Sequence, residues 1–286
     1  MKGIVLAGGT GSRLWPMTKS VSKQLLPIYD KPLVYYPIST LMLADIREIL
    51  IITTPQDLSS FKTLLGDGSQ YGVSFQFATQ DKPNGLAEAL IIAEEFLNGD
   101  KSMMILGDNF FHGDGLGQEL INVKDVNGCH IFLTRVSNPS DYGVLTLDSN
   151  DQPISIVEKP KNAISPWAVT GMYVFDSRAS QFARSITKSA RGELEITSVL
   201  EKYLEQGSLG YSILSRGKTW LDTGTPENLL EASNFVRILE QRTGLKIACL
   251  EEIAWGNGWI SDIDLKNCTK NVGKAYGEYL LGLLPE

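Results

Sequence analysis

The chain has few of the residues on which most nucleophilic and metal centres depend. Only two of its 286 residues are histidine, His112 and His130, and three are cysteine, Cys129, Cys249 and Cys268. The cysteines are odd in number, far apart and never Cys-x-x-Cys, which argues against a disulfide framework or a zinc site. No apolar run approaches the roughly 20 residues of a bilayer span, so no membrane partner is expected. The N-terminal apolar run is short and ends in glycines, unlike a secretory leader, and a cytoplasmic location is expected. An excess of positive charge is also missing. Lys and Arg number 26 against 33 Asp and Glu, a net charge of −7, so nucleic-acid binding is not expected. Repeats, low-complexity stretches and long linkers are absent. The 43% hydrophobic and 21% charged content is that of an ordinary globular chain.

An acidic protein that binds an anion must gather its cations locally, and this directs attention to Arg13, Lys23 and Lys159. The stretch from Lys2 to Pro16 runs from a short apolar strand into a loop carrying Gly8, Gly9 and Gly11, then Ser12 and Arg13. Glycines let backbone N–H groups turn inward and approach a ligand closely. The loop is either a tight turn, a dinucleotide loop or a nest for a mononucleotide triphosphate. Pro16 opposes the helix a dinucleotide loop needs, the second strand ends at Pro55 without a ribose acid, and Gly-Lys-Ser/Thr is missing.

Apolar, β-branched runs recur at 4–7, 49–53, 73–78, 103–106, 131–136, 144–147, 154–157, 169–175 and 211–214, with helical patterns at 33–44, 58–65 and 86–97. This alternation predicts an α/β fold: a Rossmann-like, mostly parallel mixed sheet flanked by helices. The quick succession of strands after Asp141 predicts a small antiparallel subdomain on the substrate side. Residues 227–241 read as an amphipathic helix with Leu229, Leu230, Phe235, Ile238 and Leu239 near one face. One domain is expected, with a core over 1–140, a substrate part and remaining core over 141–224, and a helical region over 225–286.

Four further stretches carry candidate chemistry. Gly107-Asp108-Asn109 follows an apolar strand, where Asp108 is either a loop aspartate or a Mg²⁺ ligand. Asp222 precedes a glycine turn and a helix opening at Thr225-Pro226, and is a turn residue or a second metal carboxylate. Glu158-Lys159-Pro160 ends a strand. It is a solvated turn pair, or a carboxylate for sugar hydroxyls beside a lysine for a phosphate. Gln80 and Gly85 lie between a strand and a helix; the Gln80 amide offers a donor and an acceptor to a pyrimidine edge. Arg191 opens Arg-Gly-Glu-Leu-Glu-Ile-Thr197, which also reads as an acidic first helical turn.

Together these pieces resemble the bacterial glucose-1-phosphate thymidylyltransferases, within the sugar-phosphate nucleotidyltransferases. LAGGTGSRLWP, VSKQLLPIYDKP, QDKPNGLAEAL, LGDNFF, VEKP, TGMYVFD, RGELEIT and WLDTGT stand in the family's order over essentially the whole chain. The resemblance implies that Gly8, Gly9, Gly11, Ser12 and Arg13 hold the nucleotide phosphates, with Lys23 and Gln24 assisting and Arg13 on the departing pyrophosphate. It places Gln80 and Gly85 on thymine, Mg²⁺ on Asp108 and Asp222, and Asn109, Tyr142, Gly143, Glu158, Lys159, Val169 and Arg191 around the sugar phosphate. Arg13, Lys23, Asp108, Lys159 and Asp222 are then the catalytic set. The implied substrates are dTTP and glucose 1-phosphate. In-line attack by an already anionic phosphate oxygen needs no general base, which agrees with the scarcity of histidine. A homotetramer with feedback by dTDP-rhamnose is implied as well, and Leu250–Ala254 resembles part of that regulatory region. Ser12, Ser198 and His112 depart from residues common in the family (threonine, aspartate and tyrosine). Uridylyl transfer or transfer to another sugar 1-phosphate, an inactive nucleotide-sensing subunit and a dinucleotide-dependent oxidoreductase are the alternatives. The retained cations and carboxylates oppose the second, and Pro16 opposes the third.

Overall fold

The computed structural model of the chain describes residues 1–9 and 11–285; Thr10 of the glycine loop lies outside them. In chain order the strands are β1 (Lys2–Ala7), β2 (Pro27–Ile28), β3 (Lys31–Pro32), β4 (Glu48–Thr53), β5 (Ser74–Thr79), β6 (Ser102–Leu106) and β7 (Asn109–His112). They continue as β8 (Cys129–Arg135), β9 (Gly143–Leu147), β10 (Pro153–Glu158), β11 (Trp167–Phe175), β12 (Leu209–Ile213) and β13 (Thr219–Asp222). Nine of them form one sheet, in the order β10-β9-β11-β6-β1-β4-β5, with β8 on β11 and β12 on β8.

β1 is buried on both faces and reads as a continuous apolar run, the signature of a central parallel strand. Its pleat sends Val5 and Ala7 to one core and Ile4 and Leu6 to the other, so helices cover both faces. β6, β1, β4 and β5 are mutually parallel. Their carboxyl ends therefore open on one edge, which receives the glycine loop from β1, Gly107-Asp108 from β6 and Gln80 from β5.

β11 is the pivot of the sheet. Its second half pairs with β6 from Met172 to Phe175, and its first half pairs with β9 at Trp167 and Ala168. β6 and β9 thus share one side of β11 and part around Gly171. The antiparallel strands expected after Asp141 are present, and the β9–β10 ribbon extends the central sheet through β11 rather than standing as its own sheet.

One local expectation is met and two change. The glycine loop passes into a single 3-10 turn, Ser12–Leu14, and no long helix follows, as Pro16 requires. The helical run near 86–97 is interrupted at Ala93, giving Glu88–Ile92 and Glu94–Leu97. In the helix Pro226–Thr243 the buried residues are Ala232, Val236 and Glu240, while Leu230 and Ile238 are 63% and 49% exposed. The expected stripe was drawn through the largest side chains. Leu229 and Phe235 of that stripe do pack against the core, but the fully buried line runs through Ala232 and Val236, and Glu240 is drawn inside by Lys31 at 3.0 Å and Lys246 at 3.3 Å. Among the described residues no helix is long and apolar enough to cross a membrane.

Candidate active site

The parting of β6 from β9 leaves a cavity of about 300 Å³ at the carboxyl edge of the sheet. It gathers sixteen of the residues singled out from sequence: Gly8, Gly9, Arg13, Lys23, Gln24, Gln80, Gly85, Asp108, Asn109, Tyr142, Gly143, Glu158, Lys159, Val169, Arg191 and Asp222. Gly11 and Ser12 are not on its wall. Gly11 instead turns the loop with a left-handed φ of 57°, and its carbonyl accepts from the Thr18 hydroxyl at 2.7 Å.

The two aspartates meet through a feature sequence reasoning missed, the antiparallel ribbon of β7 and β13. Its register sets Asp222 opposite Asn109. The Thr223 N–H and hydroxyl donate to the Asp108 carbonyl at 3.1 and 2.8 Å, pinning the ribbon's end. The apolar pairs within Asn109-Phe-Phe-His and Thr219-Trp-Leu-Asp were the available signal, but each run is only four residues long and does not alternate.

Asp108 is ion-paired with Lys23, and its Oδ1 accepts from the Asn109 amide at 3.0 Å. Burial raises its carboxyl, but Lys23's charge and hydrogen bond outweigh this and hold it below the usual range. Asp222 moves the other way. Burial raises it and the Asp108 charge raises it further, against the pull of Lys23 and Arg13. Two carboxylates that repel each other at the end of a cavity form an incomplete cation site. No cluster of three or more His, Cys, Asp or Glu suited to a metal exists among the described residues. A divalent ion held by the pair would take its other ligands from water and phosphate oxygens.

Asn109 was expected on the sugar phosphate; it lines the cavity, and its oxygen is taken up by the scaffold. Oδ1 accepts from the Gly171 N–H at 3.1 Å and from the Trp220 indole at 2.5 Å. A methyl at Gly171 would stand 2.5 Å from that oxygen and 2.6 Å from Asn109 Cγ. Gly171→Ala is accordingly expected to cost about 1–3 kcal/mol, the scale of overpacking a tight core, readable as a lower urea midpoint. Gln24 is likewise buried, accepting from Ser22 at 2.6 Å and donating to the Gly8 carbonyl at 3.3 Å, so it supports the glycine loop from beneath.

Arg13 reaches across to the ribbon's end. A methyl on Gly224 would come within 2.6 Å of its Nη2 and 3.0 Å of Asp222 Oδ1. On the opposite wall β10 ends at Glu158, and Lys159 takes φ 42°, a left-handed conformation uncommon for a residue with a Cβ. That turn breaks the strand's alternation and lets Glu158 and Lys159 splay into one cavity. The Lys159 N–H donates to the Tyr142 carbonyl at 3.0 Å, and the Tyr142 ring meets Trp220 edge-on at 5.2 Å. Burial pushes the Glu158 carboxyl up, and nearby Glu195 adds to this.

The Arg191–Thr197 segment differs from a helical first turn. The helix begins at Ile196, beyond both acids. Glu193, Glu195 and Thr197 line the cavity, while Arg191 lies 3.5 Å from Glu158, 3.3 Å from Glu193 and 3.5 Å from Glu195. Between the two acids, Leu194 clips the base-side loop. Its N–H donates to the Asn84 carbonyl at 2.6 Å, and its carbonyl accepts from Ala87 at 3.1 Å. Gly85 passes so close, with φ 114°, that a Cβ there would meet the Leu194 oxygen at 2.3 Å. Gln80 was expected to offer both a donor and an acceptor. Its amide nitrogen is engaged by the Gly85 carbonyl at 3.1 Å and Glu88 at 2.7 Å, so the acceptor is what remains.

A cation-bearing glycine loop therefore faces a strand-end lysine across two converging carboxylates. Residues 2–238 match the nucleotidyl transferase family. A glucose-1-phosphate thymidylyltransferase of Neisseria meningitidis serogroup A is 53% identical over 286 residues, covering 99% of both chains. The chain belongs to the glucose-1-phosphate thymidylyltransferase family of nucleotidyl transferases. A solved structure of a putative thymidylyltransferase of this family, from Bacillus anthracis, superposes with a TM-score of 0.76 at 40% identity, covering 83% of this chain and 95% of that one. A UDP-glucose pyrophosphorylase shares the fold at a TM-score of 0.73 and 23% identity, covering 83% of this chain and 98% of its own. The family match ends at residue 238, beyond all the cavity-lining residues named above. Leu250–Ala254, which resembled a regulatory region of this family, lies in the helix Leu250–Gly256, with Leu250, Glu251 and Ala254 buried.

Proposed function

We propose that the chain transfers a thymidylyl group from dTTP to α-D-glucose 1-phosphate, releasing pyrophosphate. The observation that carries this reading is the placing of Arg13 and Lys23 on one wall and Lys159 on another, with Asp108 and Asp222 between them. A sugar-phosphate oxygen attacks the α-phosphorus and pyrophosphate departs. Both reactants are anions, so the chain's task is to hold them together and in line. The Gly8–Gly9 backbone and Arg13 grip the triphosphate. Lys23, paired with Asp108 here, is within reach of the phosphate that enters beside it. Lys159 holds the sugar phosphate as a point charge, and Glu158 accepts from sugar hydroxyls. Asp108 and Asp222 would hold Mg²⁺, which when bound neutralises phosphate charge.

In this reading residues 1–140 form the nucleotide half, 141–224 the sugar side with the remaining core, and 225–286 a helical region. A cytoplasmic homotetramer, with feedback by dTDP-rhamnose, completes it. Uridylyl transfer is the second reading, because the one acceptor left on Gln80 suits the N3–H of thymine and uracil alike.

Pyrophosphate release across a matrix of nucleoside triphosphates and sugar 1-phosphates tests the reading. dTTP with glucose 1-phosphate should be the fastest pair. No turnover with any pair would sink the enzyme, and faster turnover with UTP would move it to the second reading. Chelation of divalent ions should lower the rate by at least about 100-fold, with recovery on adding Mg²⁺. An undiminished rate in chelator would remove the metal role from Asp108 and Asp222.

A further inference from the structure

We propose that Lys188, Asn84 and Glu88 form a hydrogen-bond relay that locks the Gln80 amide with its oxygen toward the base, so that the site admits imide pyrimidines and rejects cytosine. This rests on the reading above that Gln80 faces the nucleotide base. The relay's direction follows from the chemistry of its ends. An ammonium only donates, and Lys188 Nζ lies 3.0 Å from Asn84 Oδ1. Asn84 must then turn its Nδ2 away, and it donates to Glu88 Oε1 at 2.8 Å. A carboxylate only accepts, and Glu88 Oε2 takes the Gln80 Nε2 donor at 2.7 Å. The second hydrogen of that nitrogen goes to the Gly85 carbonyl at 3.1 Å.

Both donors of Gln80 are thus consumed on the side away from the glycine loop. Its Oε1 stands 3.1 Å from where a Gly8 Cβ would be, at the cavity wall. Reversing the amide would set its oxygen against the Glu88 carboxylate and the Gly85 carbonyl together. Gln80 is only 7% exposed, so water cannot readily relieve those contacts. What the base meets is a fixed lone pair. Thymine and uracil present N3–H to it, whereas cytosine presents its own N3 lone pair. Glu88 reaches the base only through Gln80 and is a positioning residue.

The experiment is the ratio of kcat/KM for dTTP to that for dCTP, with glucose 1-phosphate and the full chain, alongside melting temperatures. Glu88→Leu removes the acceptor that holds Gln80 and should lower the ratio at least about tenfold, chiefly by raising dCTP turnover. Glu88→Gln replaces one of the two acceptor oxygens by a donor, cannot take both the Asn84 and the Gln80 hydrogens, and should lower the ratio in the same direction by a smaller factor. Lys188→Met, at the exposed far end, should shift the ratio in the same direction by a smaller factor. A normally melting Glu88→Leu with an unchanged ratio overturns the relay, provided Gln80→Ala lowers the ratio. If Gln80→Ala also leaves it unchanged, the base-site reading itself has failed. Should Glu88→Leu not fold, Asn84→Leu and Lys188→Met decide, and an unchanged ratio in both overturns the relay.

Discussion

Asp108→Asn should lower kcat at least about 100-fold in pyrophosphate release under saturating substrates, the scale of losing a charge that acts on the transition state. The change removes one of the two carboxylates proposed for the divalent ion and keeps the side chain's volume. It also deprives Lys23 of its partner, with both side chains largely out of solvent, at 13% and 16% exposure. Asparagine can still bond to the Asn109 amide, so the β7–β13 ribbon should stay in place and the melting temperature should move little. A kcat near that of the parent would make Asp108 a structural loop residue. A collapse of stability alongside kcat would mean that the ion pair serves folding first.

Lys159→Met should act on the other substrate. kcat/KM for glucose 1-phosphate is expected to fall at least about 100-fold, while the KM for dTTP changes less than about threefold. A lysine contributes a compact charge to a phosphate, and methionine keeps much of its length without the charge. Beyond the substrate, the ammonium only eases the burial of the Glu158 carboxylate, and the Lys159 backbone already holds the left-handed turn. Initial-rate series varying each substrate separate the two effects. Equal losses toward both substrates would place Lys159 on a shared step rather than on the sugar phosphate.

The legible parts of the site are those where one residue's chemistry was tied to a strand end. The glycine loop, Gly107-Asp108, Gln80 and Glu158-Lys159 each follow an apolar run, and parallel strands deliver all but the last pair to the same edge. The β-branched runs became strands within a residue or two, and for β1, β4, β6 and β11 burial on both faces leaves little ambiguity of type. Contacts between distant segments were hidden. The β7–β13 ribbon consists of two four-residue runs separated by more than a hundred positions. Glu193 and Glu195 looked like first-turn acids because the sequence does not say that the helix waits until Ile196. In the Pro226–Thr243 helix, Leu229 and Phe235 meet the core as expected, but Leu230 and Ile238 face solvent because the buried line runs through Ala232, Val236 and the lysine-paired Glu240. Asn109 and Gln24 were read as ligand contacts; both line the cavity, and each also bonds to neighbours that sequence cannot place.

The clip between Leu194 and residues 84–87 carries a consequence for the order of events. Two backbone hydrogen bonds and a glycine in direct contact fuse the loop beside the base to the segment that bears Glu193 and Glu195. In the proposed reading the two substrates therefore dock against one mechanical unit. Whatever free energy the triphosphate spends in setting that unit is already spent when the sugar phosphate arrives, and the reverse is equally true. Linkage then requires that any factor by which one substrate tightens the other be the same in both directions, whichever binds first.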